Sequence, residues 1–227
     1  MAKIKQKSFD EFYDKEVIYD LSNAVEIVKK ISTAKFDETV DLSINLNVDP
    51  RHAEENIRIS TSLPNGTGKK VVLLVLAQGP KVQEALDAGA DYCGNKDYLD
   101  KIKGGWVDVD KIIATPDMMA VVGRIGKILG PRGLMPNPKT GTVTFEVESV
   151  IKNIKAGQVE FRADKLGNLH ASVGKISFDA DKLCENISVL VDTVKRMKPS
   201  SSKGIYLRNF SLSSTMGPGI KVDPQTV

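Results

Sequence analysis

One segment rich in glycine, proline and basic residues has a composition that suits phosphate chemistry. From Met118 through Phe145 the chain carries four basic side chains, five glycines and no acidic side chain. Arginine and lysine beside open backbone amides donate hydrogen bonds to phosphate oxygens. The glycines and prolines predict a long shaped loop over residues 123–144, and long loops in compact domains are usually functional. The alternative is a plain connection whose charges are solvated.

Two shorter segments offer groups that RNA-binding proteins use. Lys35, Phe36 and Asp37 set an aromatic ring between opposite charges at a predicted helix–strand corner. Residues 215–219 (TMGPG) offer a hydroxyl, a flexible apolar side chain and open backbone. Hydroxyls and amides suit ribose and phosphate, whereas apolar groups suit base or ribose faces. From the residues alone, each segment has an equally supported structural alternative. Phe36 could be an ordinary core side chain, and residues 215–219 could be only a tight turn.

Catalytic and metal-binding patterns are missing from the sequence. Both cysteines and both histidines (Cys93, Cys184, His52 and His170) stand alone, without partners at metal-ligand spacing. Residues 66–70 (GTGKK) resemble part of a P-loop but precede a predicted strand, whereas a P-loop follows one and opens a helix. We therefore expect no metal, no cofactor and no catalysis. The competing hypothesis is a nucleotide- or small-molecule-dependent enzyme built on the central α/β segment, which thermal shift with nucleotides would distinguish.

Composition and charge restrict the class of protein to which the chain can belong. The 227 residues are 41% hydrophobic and 27% charged, which predicts a globular chain of one or two domains. The net charge is +3, divided as −3 over residues 1–66 and +3 over each of 67–157 and 158–227, so a phosphate-binding surface must be built locally. We expect no membrane contact, because no apolar run is long enough to span one. Residues 1–7 do not predict a secretory signal, and two cysteines cannot form a disulfide framework, so we expect a cytoplasmic protein.

The periodicity of apolar residues predicts two kinds of secondary-structure pattern. In the N-terminal part it predicts a helix at 20–33, an amphipathic strand at 40–48 and a partner strand at 56–62. The middle alternates buried strands with helices, as in an open α/β sheet. Its predicted strands are 71–77, 111–114 and 142–147, and its helices run through 82–90, 118–125 and 150–155. The C-terminal part predicts a hairpin of strands 159–162 and 169–173, a helix at 181–197, and strands at 204–211 and 220–223.

These two patterns predict two domains, of α/β and α+β class. The flanking segments, 1–66 and 158–227, are each too small for a core of their own and together predict one discontinuous domain. Residues 67–157 then form an inserted domain. Two glycine-rich crossings between the domains favour a hinge.

Seven segments in order along the chain resemble the ribosomal protein L-one (L1) family, in particular its bacterial members. They are 34–40 (AKFDETV), 88–92 (AGADY), 114–117 (ATPD), 128–139 (ILGPRGLMPNPK), 154–157 (IKAG), 159–162 (VEFR) and 215–218 (TMGP). The resemblance implies a discontinuous split β-α-β domain with an inserted Rossmann-like, three-layer α/β domain. It also implies a structural protein of the large ribosomal subunit, without catalysis. We expect no cofactor and no small-molecule substrate, and we expect a monomer off the ribosome because nothing in the sequence suggests self-association.

The resemblance implies three RNA partners. Members of the family bind large-subunit ribosomal RNA at the mobile stalk near the exit site, mainly through the first domain. They assist release of deacylated tRNA from the exit site, and they repress translation of their own operon mRNA through a mimic of the rRNA site. The residues that the resemblance assigns to the main RNA contact are Phe36, Thr215, Met216 and Gly217.

Further RNA contacts follow from matching family positions. Arg132 and Lys139 would add weaker contacts from the inserted domain. Phosphate contacts are expected from Lys35, Arg51, Arg162, Lys165, His170 and Lys175. Any one of these could instead be a solvated surface charge.

Overall fold

The computed structural model describes residues 13–52, 55, 57–199, 202 and 204–226. The basic segment at residues 1–7 lies outside them. The chain forms two compact units: unit 1 (Met1–Gly68 with Val159–Val227) and unit 2 (Lys69–Gln158). Each is described separately below.

Helices and strands follow in chain order. The helices are α1 (Leu21–Ile31), α2 (Lys81–Asp87), α3 (Lys96–Lys103), α4 (Met119–Val122), α5 (Gly126–Leu129), α6 (Val147–Lys155) and α7 (Ala180–Arg196). The strands are β1 (Thr39–Leu46), β2 (Arg58–Ser62), β3 (Leu73–Leu76), β4 (Tyr92–Gly94), β5 (Lys111–Ala114), β6 (Gln158–Arg162), β7 (Asn168–Lys175), β8 (Leu207–Ser214) and β9 (Ile220–Val222).

Unit 1 is a four-stranded antiparallel sheet with helices on one face. The strand order is β7-β1-β8-β9. Along β1 every second residue is buried, because the two-residue period of a strand turns its valine, leucine and isoleucine side chains to the core. α1 and α7 contribute apolar stripes to the same core. The amphipathic strand and the two helices predicted for this part of the chain are therefore confirmed.

Strand pairing in unit 1 differs from the prediction in three places. β2 pairs with β6 in a separate two-stranded sheet rather than with β1, whose two edges are occupied by β7 and β8. β6 and β7 consequently belong to different sheets, and the predicted hairpin is reduced to a turn closed by the bridge between Ala163 and Leu169. The strand predicted at 204–211 instead covers Leu207–Ser214, because it pairs along the whole length of β1.

Unit 2 is a three-layer α/β unit, which together with unit 1 confirms the predicted mixed fold class. Its parallel sheet has the order β4-β3-β5, and β3 is buried along its whole length. Leu74 and Leu76 face a cluster that includes residues of α3 and α4, whereas Leu73 and Val75 face α2 and α6. β3 therefore has apolar side chains on both faces, as its continuous apolar sequence predicts.

Two short elements of unit 2 differ from the sequence prediction. β4 and α3 were not expected, because a three-residue strand and a helix with few apolar residues give no clear periodicity. The strand expected at 142–147 is reduced to an isolated bridge between Val143 and Ala114, and Val147 already begins α6.

The predicted loop at 123–144 contains more regular structure than expected. Residues Gly123–Ile125 and Pro138–Thr140 form 3-10 turns, and α5 lies between them. Ile125 and Leu129 are both buried in the apolar cluster of unit 2. Because these two side chains are four residues apart, burying both favours helical turns despite the glycines.

Candidate nucleic-acid interface

Phe36 lies between α1 and β1, in residues 32–37, which we call the Phe36 loop. The residue is 56% exposed, so it is not a core side chain. The carboxylate of Asp37 accepts hydrogen bonds from the amide and hydroxyl of Ser177 at 3.2 and 2.8 Å. The Lys175 ammonium donates to the Asp37 carbonyl and the Thr39 hydroxyl at 3.3 and 2.9 Å. The segment at the end of β7 therefore fixes the loop while leaving the aromatic ring in solvent.

Residues 215–219 connect β8 to β9 and are called the Met216 turn. Met216 is 61% exposed. The Thr215 hydroxyl is held against the backbone of Thr39, and the Gly217 amide donates to the Ser214 carbonyl at 3.2 Å. A Cβ atom at Gly217 would lie 2.5 Å from Ser214 Oγ, a distance that real Cβ contacts do not reach. A side chain at this position would therefore require the Ser214 hydroxyl or the turn to shift.

Glu38 joins the Phe36 loop to the Met216 turn. One of its carboxylate oxygens accepts hydrogen bonds from the Ser32 hydroxyl at 2.7 Å and the Ala34 amide at 3.2 Å. The other accepts from the Met216 amide at 2.9 Å. Burial raises the pKa of this carboxyl, but the hydrogen bonds outweigh that effect and hold the pKa below its ordinary value of 4.5.

The face of the unit 1 sheet opposite the helices is polar. On β1 this face carries Asp41, Ser43 and Asn45, which are half-buried between β7 and β8. Ser43 Oγ hydrogen-bonds His170 Nδ1 at 3.0 Å, and the Asn45 amide group donates to Asn168 at 2.6 Å. Burial raises the pKa of Asp41, although the charges of Lys175 and His170 oppose the rise. Hydroxyl, amide and imidazole groups thus line a sheet surface of the kind that contacts ribose and phosphate.

The predicted basic residues of unit 1 are distributed over several elements. Lys35 is exposed in the Phe36 loop, and Lys165 is exposed in the turn before β7. Arg51 follows β1 with a side chain that is 90% exposed, and Arg162 is exposed at the end of β6, in the two-stranded sheet. Among the described residues, no hydrogen bond or ion pair that the structure resolves ties either arginine to the Phe36 loop or the Met216 turn.

Residues 118–145, which we call the basic segment of unit 2, carry a second group of exposed side chains. Arg124, Lys127 and Arg132 are all exposed, and Arg132 lies in the turn after α5. Lys139 lies in the 3-10 turn Pro138–Thr140, and its side chain is outside the described part of the structure. The hydroxyls of Thr140 and Thr142 both donate to the Asn137 carbonyl at 3.1 Å, which orders the second half of the segment.

One cleft of unit 2 does not suit a phosphate. This cleft of about 460 Å³ is lined by Glu84, Glu146 and Glu148 beside a single Lys152, so its net negative charge repels phosphate. Across residues 13–52, 55, 57–199, 202 and 204–226, no group of three or more His, Cys, Asp or Glu side chains could hold a metal ion. The helices in this part of the chain are too short or too polar to cross a membrane.

Two features of the interface were missed by sequence reasoning. The role of Glu38 gave no local signal, because its partner Met216 is 178 residues away in the chain. The polar sheet face did give a signal, since the polar residues of β1 alternate with apolar ones, but that pattern is also typical of an ordinary solvated strand.

Comparison with known families gives one match that includes both parts of this surface. The sequence profile of the Ribosomal protein L1p/L10e family matches residues 28–218, which is most of the chain. The matched region contains the Phe36 loop, all of unit 2 and the Met216 turn as far as residue 218.

Proposed function

Because the chain belongs to the Ribosomal protein L1p/L10e family, it is a structural protein of the large ribosomal subunit that binds ribosomal RNA, and we propose that unit 1 makes the main contact. The Phe36 loop and the Met216 turn lie at the centre of the proposed contact. The protein acts there by recognition rather than by catalysis.

The observation that carries this proposal is the pair of exposed apolar side chains, Phe36 and Met216, on segments joined by a buried carboxylate. Exposed apolar residues on a rigid support suit base or ribose faces in a folded RNA. The adjoining polar sheet face supplies donors and acceptors for the sugar–phosphate backbone. Rigid placement reduces the entropy lost on binding, because the loop conformations are already fixed.

Basic residues add the electrostatic part of the contact. In unit 1 we propose phosphate contacts from Lys35, Arg51, Arg162, Lys165, His170 and Lys175. In unit 2 we propose weaker contacts from Arg132 and Lys139. These contacts contribute affinity without sequence information, whereas the Phe36 loop and the Met216 turn recognise the shape of the site.

The experiment that tests this function is a filter-binding titration. The full chain is titrated against a stalk fragment of large-subunit rRNA and against an unrelated hairpin of equal length. Tight binding to the stalk fragment that survives competitor RNA and moderate salt supports the proposal. Equal, salt-fragile binding to both RNAs would overturn it, because the surface would then be a general polyanion site.

We further propose that the protein represses translation of its own operon mRNA through the same surface of unit 1. One surface cannot hold two RNAs at once, so stalk rRNA and operon mRNA should compete. In an in vitro translation reaction, added protein should reduce synthesis from its own mRNA, and excess stalk fragment should restore it. Repression that persists with excess fragment would contradict a shared surface.

Assistance in releasing deacylated tRNA from the exit site is the third part of the proposal. The basic segment of unit 2 also exposes Arg124 and Lys127, which are not among the residues proposed above for the rRNA contact. Ribosomes carrying Arg124→Gln with Lys127→Gln should therefore retain the protein but release exit-site tRNA more slowly. Unchanged release would exclude this segment.

A further inference from the structure

We propose that Glu38 is a positioning residue for RNA binding, whose carboxylate fixes the Phe36 loop and the Met216 turn relative to each other. The inference deepens the proposed function and rests on it. Glu38 itself does not contact the RNA, because the residue is only 1% exposed.

The geometry places a single carboxylate between two segments that are distant in sequence. Its two oxygens accept hydrogen bonds from separate segments. One accepts from the Ser32 hydroxyl and the Ala34 amide before Phe36, and the other accepts from the amide of Met216. These are hydrogen bonds to a charged acceptor, which are shorter and stronger than neutral ones. The backbone that carries each exposed apolar side chain is therefore tied to the same group.

The negative charge itself argues for a positioning role. A carboxylate beside a polyanion site weakens binding by repulsion, so its presence there requires a compensating benefit. Within the described residues Glu38 makes no ion pair that would neutralise it. Its oxygens are instead used by the backbone and hydroxyl donors of the two segments.

Glutamine cannot replace this carboxylate. An amide presents one acceptor oxygen and one NH₂ group. If its oxygen faces Met216, the NH₂ group faces the amide of Ala34, and if the amide is turned over, the NH₂ group faces the amide of Met216. In either orientation one segment loses its acceptor, although the side chain has almost the same shape.

The first test compares Glu38→Gln with a matched control, Glu160→Gln. Glu160 is also in unit 1, where its carboxylate accepts hydrogen bonds from Arg58 at 2.7 and 2.9 Å in the two-stranded sheet. Both variants raise the net charge by one, which alone strengthens RNA binding. We expect Glu38→Gln to weaken binding of the stalk fragment by about tenfold, and Glu160→Gln to leave it unchanged or slightly stronger. Unchanged binding by Glu38→Gln would overturn the inference.

A double-mutant cycle separates positioning from a general effect on stability. In the background of Phe36→Ala with Met216→Ala, Glu38→Gln should cost about threefold or less, because the two apolar contacts that it positions are gone. The same tenfold loss in that background would show that Glu38 acts elsewhere and would overturn the inference. Circular dichroism and thermal melts verify that each variant is folded at the assay temperature. If Glu38→Gln does not fold, Glu38→Asp, which keeps the charge but is one methylene shorter, takes its place in the cycle.

The outcomes also distinguish this inference from the proposed function. If the unmodified chain shows no preference for the stalk fragment, or Phe36→Ala and Met216→Ala bind normally, the proposed function itself fails. If those variants lose affinity while Glu38→Gln does not, only the positioning role fails.

Discussion

Thr215 continues the pairing of β8 with β1 through its side chain. Its hydroxyl accepts a hydrogen bond from the Thr39 amide at 3.0 Å and donates one to the Thr39 carbonyl at 3.3 Å. The hydroxyl proton and one lone pair are thus occupied, and one lone pair remains. Thr215 can therefore accept a hydrogen bond from a ribose 2′-hydroxyl but has no proton left for a phosphate oxygen.

Substitution of Thr215 should show whether its hydroxyl contributes to RNA binding. Thr215→Ser keeps the hydroxyl and should bind the stalk fragment within about twofold of the unmodified chain. Thr215→Val keeps the volume but loses both bonds to Thr39, and should weaken binding by about fivefold to tenfold. Filter binding at one salt concentration measures both. Equal affinities for the two variants would contradict a role for the hydroxyl.

Phe36→Ala and Met216→Ala should weaken RNA binding with little effect on stability. For Phe36 we expect a loss of about 5- to 150-fold, because stacking of a base on an aromatic side chain contributes about 1–3 kcal/mol. For both variants the Tm should change by less than about 2 °C, since both side chains are mostly exposed. Ile205→Ala, at an apolar residue of unit 1 that is 77% exposed, is the control and should bind normally. Normal binding by both test variants would exclude this surface.

Gly217→Ala should weaken binding by displacing the Met216 turn. The added Cβ would lie 2.5 Å from Ser214 Oγ but 3.6 Å from Ser214 Cβ, so the conflict is with the hydroxyl. The double variant Gly217→Ala with Ser214→Ala removes that oxygen and should recover most of the affinity. Filter binding and thermal melts of the single and double variants test this. Absence of rescue would mean that Gly217 matters for another reason, such as direct contact with RNA.

Salt dependence should distinguish Lys35 from Lys175. Lys35 is exposed, so Lys35→Gln should reduce the slope of log affinity against log salt by about 0.7–0.9, the value for one phosphate contact. Lys175 also donates to the Asp37 carbonyl and the Thr39 hydroxyl. Lys175→Gln should therefore lower affinity further at every salt concentration, because it also frees the Phe36 loop. Titrations between about 50 and 200 mM salt cover the useful range. Parallel curves for Lys35→Gln and the unmodified chain would remove Lys35 from the interface.

The stability contributed by Glu38 should depend on pH in a defined direction. Its pKa in the folded chain lies below the ordinary value of 4.5, so the ionised carboxylate stabilises the fold above that pH. As the pH falls through the folded-state pKa, the proton binds and the contribution is lost. The difference in Tm between the unmodified chain and Glu38→Gln should be constant between about pH 5 and 8 and shrink below about pH 4.5. A difference that persists to the most acidic pH would contradict the assignment.

Strong periodicity made the central elements predictable, whereas pairing and exposure depended on distant residues. α1, α7, β1 and β3 follow the burial of regularly spaced apolar side chains, which is visible in the sequence. The partner of β2 was not visible, because it depends on which strands occupy the edges of β1. The sequence also did not show whether Phe36 is exposed or buried in the core. Glu38 fills the buried position beside the loop, and that position exists only because the Met216 turn lies next to it.

The order of the strands in the unit 1 sheet has a consequence for synthesis of the chain. β1 pairs on one side with β7 and on the other with β8, and both follow unit 2 in the sequence. The first part of unit 1 therefore leaves the ribosome with an amphipathic strand that has two open edges. Such edges favour incorrect association until their partners arrive. The residues of unit 2 are contiguous, so its three-stranded sheet is complete in sequence before β7 has been made. A nascent chain consequently acquires the Phe36 loop early, can fix it only after the end of β7 has been made, and can fix it relative to the Met216 turn only after residue 216 has been added.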